Sequence, residues 1–380
     1  MSDILNSLIK ISHLLGRDPM LVQGGGGNTS VKTPDKREMY IKASGTAMAD
    51  MDREKGWARV SIEKVLATLS DSQLFELPVQ DREKRVLGML SQSVIEPQGA
   101  RPSVETALHA MLYNVVMHSH AVYANALTCS PDGEATLKSI SKTEKLPGLW
   151  VPYTDPGFTL AADLEKKINK YVQEHGAKPN AIFLENHGFF YSADTVEDCV
   201  AGHAYWLEKI KQHINIDLVF DGATTINEPL KILLQERLTN AWSRFDISDP
   251  VIIFCEGREF SFAAAHPEIF RGGLSPDHIV YMGPEGVEAT DNADVGELDK
   301  AIATFVTGYN MPPKLVVVKN NGICVIGKNK AAAEAAKAMV LAAAQIYKLA
   351  GKKMKHVSRE HVDFLLGWEA EHYRANHLKS

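Results

Sequence analysis

Near the centre of the first half of the chain lies VVMHSH, residues 115–120, an apolar run that leads directly into two histidines. The apolar residues 115–117 predict a buried strand. Because side chains alternate between the two faces of a strand, His118 and His120 point to the same side and can bind one ion. Zinc needs three or four such ligands, at about 2.0–2.1 Å. By itself the pair fits equally well two histidines that bind their neighbours at a strand end.

A second buried strand supplies the third candidate ligand. Residues 181–184, AIFL, are apolar and are followed by Asn186-His187-Gly188, a turn that exposes a side chain at a strand end. Such a turn is by itself more often only a turn, so His187 gains its weight from the HxH pair. The sequence therefore predicts a site for Zn²⁺, or another divalent metal, with three ligands: His118, His120 and His187.

The helix before the HxH strand carries a candidate catalytic carboxylate, Glu105, within RPSVE, residues 101–105. A carboxylate near a metal either ligates it or transfers a proton at the substrate. The alternative is a solvated glutamate favoured by the dipole at a helix start. His109, one turn further on, either orients Glu105 or simply packs in the helix. His203 lies on an apolar helix face and is interpreted as a core histidine, and we treat His266 and His278 as structural.

The glycine-rich segment GGGGNTS, residues 24–30, is the candidate anion site. Glycines let backbone N–H groups approach a phosphate, and Asn28, Thr29 and Ser30 add side-chain donors. The segment is neither the GxGxxG of a dinucleotide site nor a P-loop, so neither a dinucleotide nor ATP is indicated. A flexible loop without a ligand is the alternative. Two further small polar turns, Ser44-Gly45 and Ser103, favour the anion site.

Strands and helices alternate along the chain, which indicates the α/β class. Apolar periodicity predicts a helix over residues 2–15, and Pro102-Ser103 is expected to open another helix with Ser103 as its N-cap. Asp194 and Glu197 have capping-box spacing and are expected to start a helix that reaches about Gln212.

Residues 214–229 break the periodicity and mark the predicted boundary between a metal domain, 1–213, and a smaller α/β domain, 229–380. Beyond the boundary, LVVVKNNG (315–322) and an alanine-rich helix parallel IFLENHG (182–188) and its helix. This echo predicts a degenerate repeat, although two common strand–turn–helix units can also match by chance. His187 has become Asn321, and asparagine is a poor transition-metal ligand, so the second domain is expected to lack the metal chemistry.

The bulk composition excludes several classes of protein. A chain of 380 residues suits two domains, and 45% hydrophobic against 23% charged residues are ordinary for a globular protein. Its 41 basic and 47 acidic residues argue against a general nucleic-acid binder, although not against a small anionic substrate. The four cysteines form no CxxC pair, and neither a signal peptide nor a membrane span is indicated. We expect a cytoplasmic protein without nucleic-acid or membrane partners.

Taken together and in this order, GGGGNTS, IKASG, RPSVE, HSH and ENHG resemble the class II aldolase/adducin family over the first half of the chain. A likeness that takes in the whole chain, through GGGNTSVK, KASGTAMADM, RPSVETALHA, SPDH and LVVVKNNGICVIGK, is to the aldolase portion of predicted bifunctional rhamnulose-1-phosphate aldolase/alcohol dehydrogenases. The sequence holds no TGxxxGxG segment, so nicotinamide chemistry is not expected of it.

The resemblance implies a three-layer α/β fold, with helices on both faces of a central, mostly antiparallel sheet, and a homo-oligomer, often a tetramer. It implies that the three histidines bind zinc and that Glu105 is the catalytic glutamate. The implied phosphate-binding residues are Gly27, Asn28, Ser44, Gly45 and Ser103. The family's usual Ser-Ser-Glu is Ser103-Val104-Glu105 here, which removes one hydroxyl, and the Glu105–His118 spacing is shorter than in the small sugar-phosphate aldolases. Tyr153 is the candidate for the family's catalytic tyrosine.

The function that follows from the resemblance is a metal-dependent lyase. It would cleave a ketose 1-phosphate, a small phosphorylated sugar, to dihydroxyacetone phosphate and an aldehyde through a metal-stabilised enediolate. The alternatives are an epimerase, dehydratase or decarboxylase on the same metal site, or a non-enzymatic, adducin-like binding module. A further alternative places the chemistry in the second half, around His266 and His278.

Overall fold

In a computed structural model, which describes residues 2–290, 295–370 and 373, the chain forms two compact units. The first unit runs to Asn215 and includes the segment that starts at Gly367, and Ile216–Leu366 belongs to the second. Nothing in the sequence suggested that the C-terminal segment belongs to the first unit. Whether residues 1–213 and 229–380 fold as two independent domains therefore stays a prediction.

The elements of the first unit, in chain order, are α1 (Ser2–Gly16), β1 (Asn28–Lys32), β2 (Glu38–Lys42), β3 (Trp57–Ser61), α2 (Ile62–Ser70), α3 (Val79–Gln92), β4 (Val94–Glu96), α4 (Thr106–Met111), β5 (Val115–Ser119), α5 (Val122–Thr128), α6 (Gly133–Ile140), β6 (Leu149–Val151), α7 (Phe158–His175), β7 (Ala181–Leu184), β8 (Gly188–Ala193) and α8 (Val196–Ile214). The strands form one sheet in the order β4-β3-β2-β1-β5-β8-β7-β6. All neighbours pair antiparallel except β6 and β7.

Alternating residues of the strands build a separate core on each face of this sheet. On one face, Ile41 and Val116 pack with apolar residues of α2, α3, α4 and α7. On the other, Tyr40 and Met117 pack with α1 and α8, and Phe183 packs with α5, α6 and α8. A mostly antiparallel sheet with helices on both faces confirms the predicted fold class.

The elements of the second unit are α9 (Glu228–Ser243), β9 (Val251–Cys255), α10 (Arg258–Ala265), β10 (Val287–Ala289), α11 (Val295–Tyr309), β11 (Leu315–Val318), β12 (Gly322–Gly327), α12 (Lys330–Leu349) and α13 (Arg359–Gly367). Its strands form a sheet in the order β10-β11-β12-β9, in which β10 and β11 are parallel and the other pairs antiparallel. This is the smaller α/β part predicted from the sequence.

The second sheet repeats one half of the first. The order β10-β11-β12-β9 corresponds to β6-β7-β8-β5, with the same strand directions, and α12 follows β12 as α8 follows β8. The turns also agree, since Asn186 and Asn320 both adopt left-handed backbone, with φ of 50° and 63°. The topology therefore supports a repeat over the chance match.

Two predicted helix starts are wrong. The helix near Ser103 begins only at Thr106, because residues 43 and 102 form a β-bridge that holds the preceding backbone extended. The N-cap of α8 is Thr195 rather than Asp194, since the Thr195 hydroxyl accepts a hydrogen bond from the amide of Asp198 at 3.1 Å.

The structure bears on the predictions about disulfides and membrane-spanning segments. All four cysteines lie in described parts of the structure, are buried and form no disulfide. Among the described residues, none of the helices combines the length and apolar character that crossing a bilayer requires.

Candidate metal centre

Three strands of the first sheet bring the predicted metal ligands together. His118 lies near the end of β5, His120 follows that strand, and His187 lies in the tight turn between β7 and β8. Strands β5 and β8 pair antiparallel with His118 opposite Phe190, and the two rings stack with centroids 3.9 Å apart. Antiparallel pairing thus carries the β7–β8 turn to the end of β5.

Gly188 allows the turn to approach the histidine pair closely. A Cβ atom at this position would lie 2.7 Å from the Ser119 carbonyl oxygen and 2.8 Å from the imidazole of His120. A side chain would therefore push the turn, and His187 with it, away from the end of β5. The Asn-His-Gly sequence is a requirement of the local geometry as well as a source of one ligand.

The ligand atoms have the spacing that one small ion requires. Candidate ligand atoms of His118, His120 and His187 all lie within 4.8 Å of one another, and the Nε2 atoms of His118 and His120 are 3.0 Å apart. Ligands at about 2.1 Å from a tetrahedral ion would be about 3.4 Å apart. The triad therefore fits a tetrahedral divalent metal with one position left open.

The tautomer and charge of His118 also suit a ligand. Its Nδ1 lies 3.2 Å from the carbonyl oxygen of Phe189, which can only accept, so Nδ1 carries the proton and Nε2 presents a lone pair to the centre of the triad. The side chain is fully buried, and this burial lowers the pKa of His118 well below its ordinary value. His118 is thus a neutral imidazole, the form that binds metals.

Glu105 completes the site from the opposite side. Its Oε2 lies 3.6 Å from Nε2 of His118 and its Oε1 3.4 Å from Nε2 of His187. Burial raises the pKa of Glu105, but positive charge on His118 or His187 whenever they bind a proton, together with a hydrogen bond from Asn28, outweighs burial and lowers the pKa overall. Oε1 is buried and accepts no hydrogen bond from the described part of the chain. A buried anionic oxygen in this position fits a cation shared with the histidines.

The residues predicted to bind phosphate lie around the loop that leads to Glu105. Asn28 donates from Nδ2 to the Ser103 hydroxyl at 3.1 Å and to Oε2 of Glu105 at 2.6 Å. The Ser44 amide donates to the Arg101 carbonyl at 2.8 Å, and Gly45 follows with a φ of 79°. Gly27 has a φ of 61°, and a Cβ there would lie 2.6 Å from the His118 carbonyl oxygen. Gly27 thus lies against His118, and the Ser44-Gly45 turn lies against the segment that leads to Glu105.

Thr29 and Ser30 are not the loop donors that the sequence suggested. Both belong to β1, both are fully buried, and their hydroxyls bond Ser12 at 2.5 Å and His109 at 2.8 Å. Because their hydroxyls are used inside the fold, they are not available to a substrate. Asn28, at the start of β1, is the last residue of the segment that faces the site.

Lys42 is a candidate that the sequence did not single out. It ends β2 in IKASG, its side chain is buried, and its ammonium lies 3.4 Å from the carbonyl oxygens of Gly25 and Ala43. A buried cation between the glycine segment and the Ser44-Gly45 turn is well placed to attract an anion. A lysine that directly follows the apolar residues 39–41 of a strand was the available signal.

Four further residues that the sequence singled out are not part of the triad: His203, His266, His278 and Tyr153. His203 is buried in α8 and its Nε2 lies 2.8 Å from the Ser119 hydroxyl, as expected of a core histidine. In the second unit, Nδ1 of His278 lies 2.8 Å from the Ser275 hydroxyl, and Nδ1 of His266 lies 3.1 Å from Glu268. The backbone amide of Tyr153 donates to Glu185 at 2.9 Å, and the role of Tyr153 as the family's catalytic tyrosine stays a prediction.

With this geometry established, the comparison with protein families identifies the first unit. The family model for the class II aldolase and adducin N-terminal domain matches residues 6–213. The chain belongs to the class II aldolase and adducin family. The resemblance seen in the five motifs is thereby confirmed, and the His118–His120–His187 triad agrees with the divalent-metal dependence typical of class II aldolases.

This class II aldolase family member matches only part of the length of each of two curated relatives. A Bacillus subtilis (strain 168) protein named uncharacterized oxidoreductase YuxG is 24% identical over 435 residues, which cover 97% of this chain and 58% of that protein. The methylthioribulose-1-phosphate dehydratase of Sorangium cellulosum (strain So ce56) is 32% identical over 111 residues, 25% of this chain and 52% of that protein. The chain thus spans little more than half of each, and the longer oxidoreductase fits a bifunctional aldolase/dehydrogenase arrangement.

Solved structures similar to this chain include two that each cover somewhat more than half of it. The class II aldolase domain of a conserved Thermoplasma acidophilum protein is 28% identical with a TM-score of 0.45, covering 55% of this chain and 93% of that one. L-fuculose-1-phosphate aldolase from Thermus thermophilus is 20% identical with a TM-score of 0.33, covering 56% and 93%.

Proposed function

We propose that this protein is a metal-dependent aldehyde-lyase that cleaves a ketose 1-phosphate into dihydroxyacetone phosphate and an aldehyde. The observation that carries the proposal is the convergence of three buried imidazoles and one buried carboxylate at a single point in a class II aldolase domain. Glycine and serine turns beside that point supply backbone and hydroxyl donors for a phosphate, and they do so locally, within a chain of net charge -6.

His118, His120 and His187 are the residues that would hold the metal, with zinc as the proposed ion. When bound, a divalent metal supplies Lewis-acid polarisation of the substrate carbonyl, so that no amine nucleophile is required. The chain's own contribution is the neutral state of His118, fixed by burial and by its contact with the Phe189 carbonyl.

Glu105 is the proposed proton carrier. Cleavage of the carbon–carbon bond releases the hydroxyl proton of the carbon that becomes the aldehyde and leaves an electron pair on the carbon that becomes part of dihydroxyacetone phosphate. Glu105, a carboxylate before the reaction, would take up one proton for the one released and deliver it to that second carbon. The Asn28 amide occupies Oε2 of Glu105, which leaves Oε1 facing the histidines as the atom that exchanges the proton. Burial excludes bulk water from this carboxylate and strengthens its interactions.

The phosphate group is proposed to lie against the predicted turn residues, with Lys42 as the nearby cation. These residues are Gly27, Asn28, Ser44, Gly45 and Ser103. The Lys42 ammonium lies beside the carbonyl oxygens of Gly25 and Ala43, which flank the two turns. A ketose 1-phosphate places its phosphate and its carbonyl on neighbouring carbons, so one molecule can bind the turns and the metal together.

A dehydratase on the same site is the second candidate. The match of part of this chain to a methylthioribulose-1-phosphate dehydratase favours it over an epimerase or decarboxylase. A dehydratase also needs a carbonyl polarised next to an exchangeable proton, so the same residues would act. Product analysis separates the two reactions, because dehydration releases no triose phosphate.

The direct test is a coupled assay for dihydroxyacetone phosphate over a panel of ketose 1-phosphates, with zinc-loaded protein. We expect cleavage of at least one member. Absence of cleavage for the whole panel would exclude the aldolase, and loss of water without triose phosphate would support the dehydratase. A non-enzymatic, adducin-like module would bind less than about 0.2 metal per chain after purification without chelator.

Four further properties belong to the proposal. We propose two folding domains, residues 1–213 and 229–380, of which only the first carries the chemistry. We also propose a cytoplasmic homo-oligomer, a tetramer as is frequent in this family, whose partners are phosphorylated sugars. Size-exclusion chromatography with light scattering measures the oligomeric state, and limited proteolysis between residues 213 and 229 tests the domain division.

A further inference from the structure

Strand β1 carries a row of three buried polar residues on the face that packs against α4: Asn28, Ser30 and Lys32. Residues at alternate positions of a strand share a face, so the row is continuous along the strand. The intervening Val31 packs into the apolar core on the other face. A buried polar row is costly unless each of its members has a partner, and the partners reveal what the row does.

Each member of the polar row bonds a different part of α4 or of the turn before it. Lys32 donates to the carbonyls of Ala110 and Leu112, at 2.7 and 2.6 Å, and so caps the C-terminal end of the helix. Ser30 lies 2.8 Å from Nδ1 of His109, in the middle of the helix. Asn28 reaches both His109 and Glu105 at the N-terminal end. The row therefore fixes the helix along its whole length.

The spacing of the row matches that of the helix. Alternate strand residues are about 6.6 Å apart, and one helical turn, which separates Glu105 from His109, rises about 5.4 Å. Asn28 consequently lies between the two side chains and touches both. Its Nδ2 donates to Oε2 of Glu105 at 2.6 Å, and its Oδ1 forms a short hydrogen bond with Nε2 of His109.

The donors and acceptors of this chain admit one arrangement. Glu105 is a carboxylate and can only accept, so Asn28 must turn its NH₂ group towards it and its carbonyl oxygen towards His109. Nε2 of His109 must then carry the proton, and Nδ1 accepts from the Ser30 hydroxyl. Burial lowers the pKa of His109 to about 3, so the imidazole is neutral and holds this single proton.

We propose that His109 is a positioning residue for Glu105, acting through the amide of Asn28. His109 holds the carbonyl end of the amide, and the NH₂ end of the amide in turn holds Oε2 of Glu105, so that Oε1 faces His187. Without the imidazole, the Asn28 carbonyl oxygen loses its hydrogen-bond donor, so the amide, and the carboxylate that it holds, are fixed less firmly. The inference rests on the proposed role of Glu105 as proton carrier.

Two substitutions separate positioning from simple packing. The side-chain amide nitrogen of glutamine reaches the position of Nε2 of histidine, so His109→Gln keeps the donor to Asn28, whereas His109→Leu fills similar space without a donor. Positioning predicts that His109→Leu lowers kcat about 10–100-fold with little change in KM, and that His109→Gln stays within about threefold of wild type. Equal losses in the two variants would overturn the proposal in favour of packing.

His278 offers a matched control in the second unit. It too is a buried histidine whose Nδ1 lies 2.8 Å from a serine hydroxyl, that of Ser275. His278→Leu and His278→Gln therefore perturb a similar buried pair without touching the Asn28–Glu105 contact. We expect neither to lower kcat beyond its effect on the amount of folded protein. A kcat loss like that of His109→Leu would contradict the proposal.

A second measurement needs no activity and separates this inference from the proposed function. The ¹⁵N NMR signals of labelled histidine, assigned to His109 by their loss in His109→Gln, report the tautomer directly. We expect the Nε2–H form, unchanged between pH 5 and 8. The Nδ1–H form, or protonation within that range, would overturn the positioning role even in an active enzyme. The expected tautomer in a protein that cleaves no ketose phosphate would refute the proposed reaction alone.

Should His109→Leu fail to fold, Ser30→Ala, which removes the hydroxyl from Nδ1, must shift the same signals.

Discussion

Two regions of this molecule share a fold and differ in chemistry. Strands β5, β8, β7 and β6 of the first unit correspond to β9, β12, β11 and β10 of the second, in order and in direction. His118 lies opposite Phe190 in one sheet, and Phe254 lies opposite Cys324 in the other. The pairing therefore equates His118 with Phe254, His120 with Glu256 and His187 with Asn321. Because the second unit forms the same sheet and the same turn, the histidines are not needed for the fold.

The second difference lies beyond the shared strands. In the first sheet β1 pairs with β5, with Asn28 opposite His118, and α4 brings Glu105 to the triad. In the second sheet β9 is an edge strand. The first unit thus differs from the second in two respects at the proposed site, which are the imidazoles on the repeated strands and the Asn28–Glu105 pair from β1 and the turn before α4.

The largest expected effect comes from giving the first site the residue of the second. His118→Phe removes the central ligand but introduces the aromatic residue that the equivalent strand position accepts. We expect kcat/KM below about 1% of wild type and less than about 0.2 metal per chain, in a protein that stays folded by circular dichroism. Retained activity would place the chemistry elsewhere, for example around His266 and His278.

Glu105→Gln tests the Asn28–Glu105 pair, which has no equivalent in the second sheet. Glutamine has the same shape but does not accept a proton, so we expect kcat to fall about 10²–10⁴-fold with metal content near wild type. Metal analysis and steady-state kinetics of the same preparation give both values. A variant with full kcat would show that another group moves the proton.

Lys42→Met tests the proposed phosphate site beside the glycine segment. Removing the buried ammonium near the glycine segment should raise KM for the phosphorylated substrate about tenfold and change kcat less. Competition by inorganic phosphate should weaken in parallel. If KM and phosphate inhibition are both unchanged, Lys42 does not contact the phosphate.

Lys32 lies on β1, the strand that has no counterpart in the second sheet, and it makes the stability of the first unit depend on pH. Burial, with smaller contributions from Lys178 and Lys36, lowers the pKa of Lys32 from 10.5 to about 7. Between these pH values the unfolded chain binds more protons than the folded one, so the stability contributed by this group rises with pH from about 7 to about 10.5. Relative to Lys32→Met, the wild-type unfolding free energy in urea should rise by about 1–3 kcal/mol over that range. A difference that is flat with pH would contradict the lowered pKa.

The smallest expected effect is the reverse exchange. Asn321→His restores one imidazole to the second unit, but Phe254 and Glu256 do not complete a three-histidine site. We expect metal content and activity to stay at wild-type values, and native mass spectrometry measures the first. A second bound metal per chain would contradict this expectation, because it would show that the second unit binds a metal with a single restored histidine.

The sequence predicted the parts of the site that depend on local pattern. Apolar runs identified β5 and β7, and the HxH spacing and the Asn-His-Gly turn identified three residues whose ligand atoms the structure brings within 4.8 Å of one another. It did not reveal β1 as a strand, because the row Asn28, Ser30 and Lys32 replaces the usual apolar face with hydrogen bonds to α4. Periodicity detects apolar burial and has no signal for a buried polar row.

Contacts distant in sequence were equally out of reach. Arg101 and Glu369 form a bidentate ion pair, at 2.9 and 2.5 Å, that joins the C-terminal segment to the first unit. Neither residue stands in a pattern that indicates its partner. The late start of α4 has a similar cause, since it depends on a bridge between residues 43 and 102.

The most direct test of the metal centre is X-ray absorption at the zinc edge of the zinc-loaded protein. Three imidazole nitrogens at about 2.0–2.1 Å, with one further light ligand, are the predicted result, and His118→Phe should abolish this signature. A spectrum dominated by thiolate sulfur at about 2.3 Å, or by oxygen without imidazole scattering, would contradict the assignment of His118, His120 and His187 as the ligands.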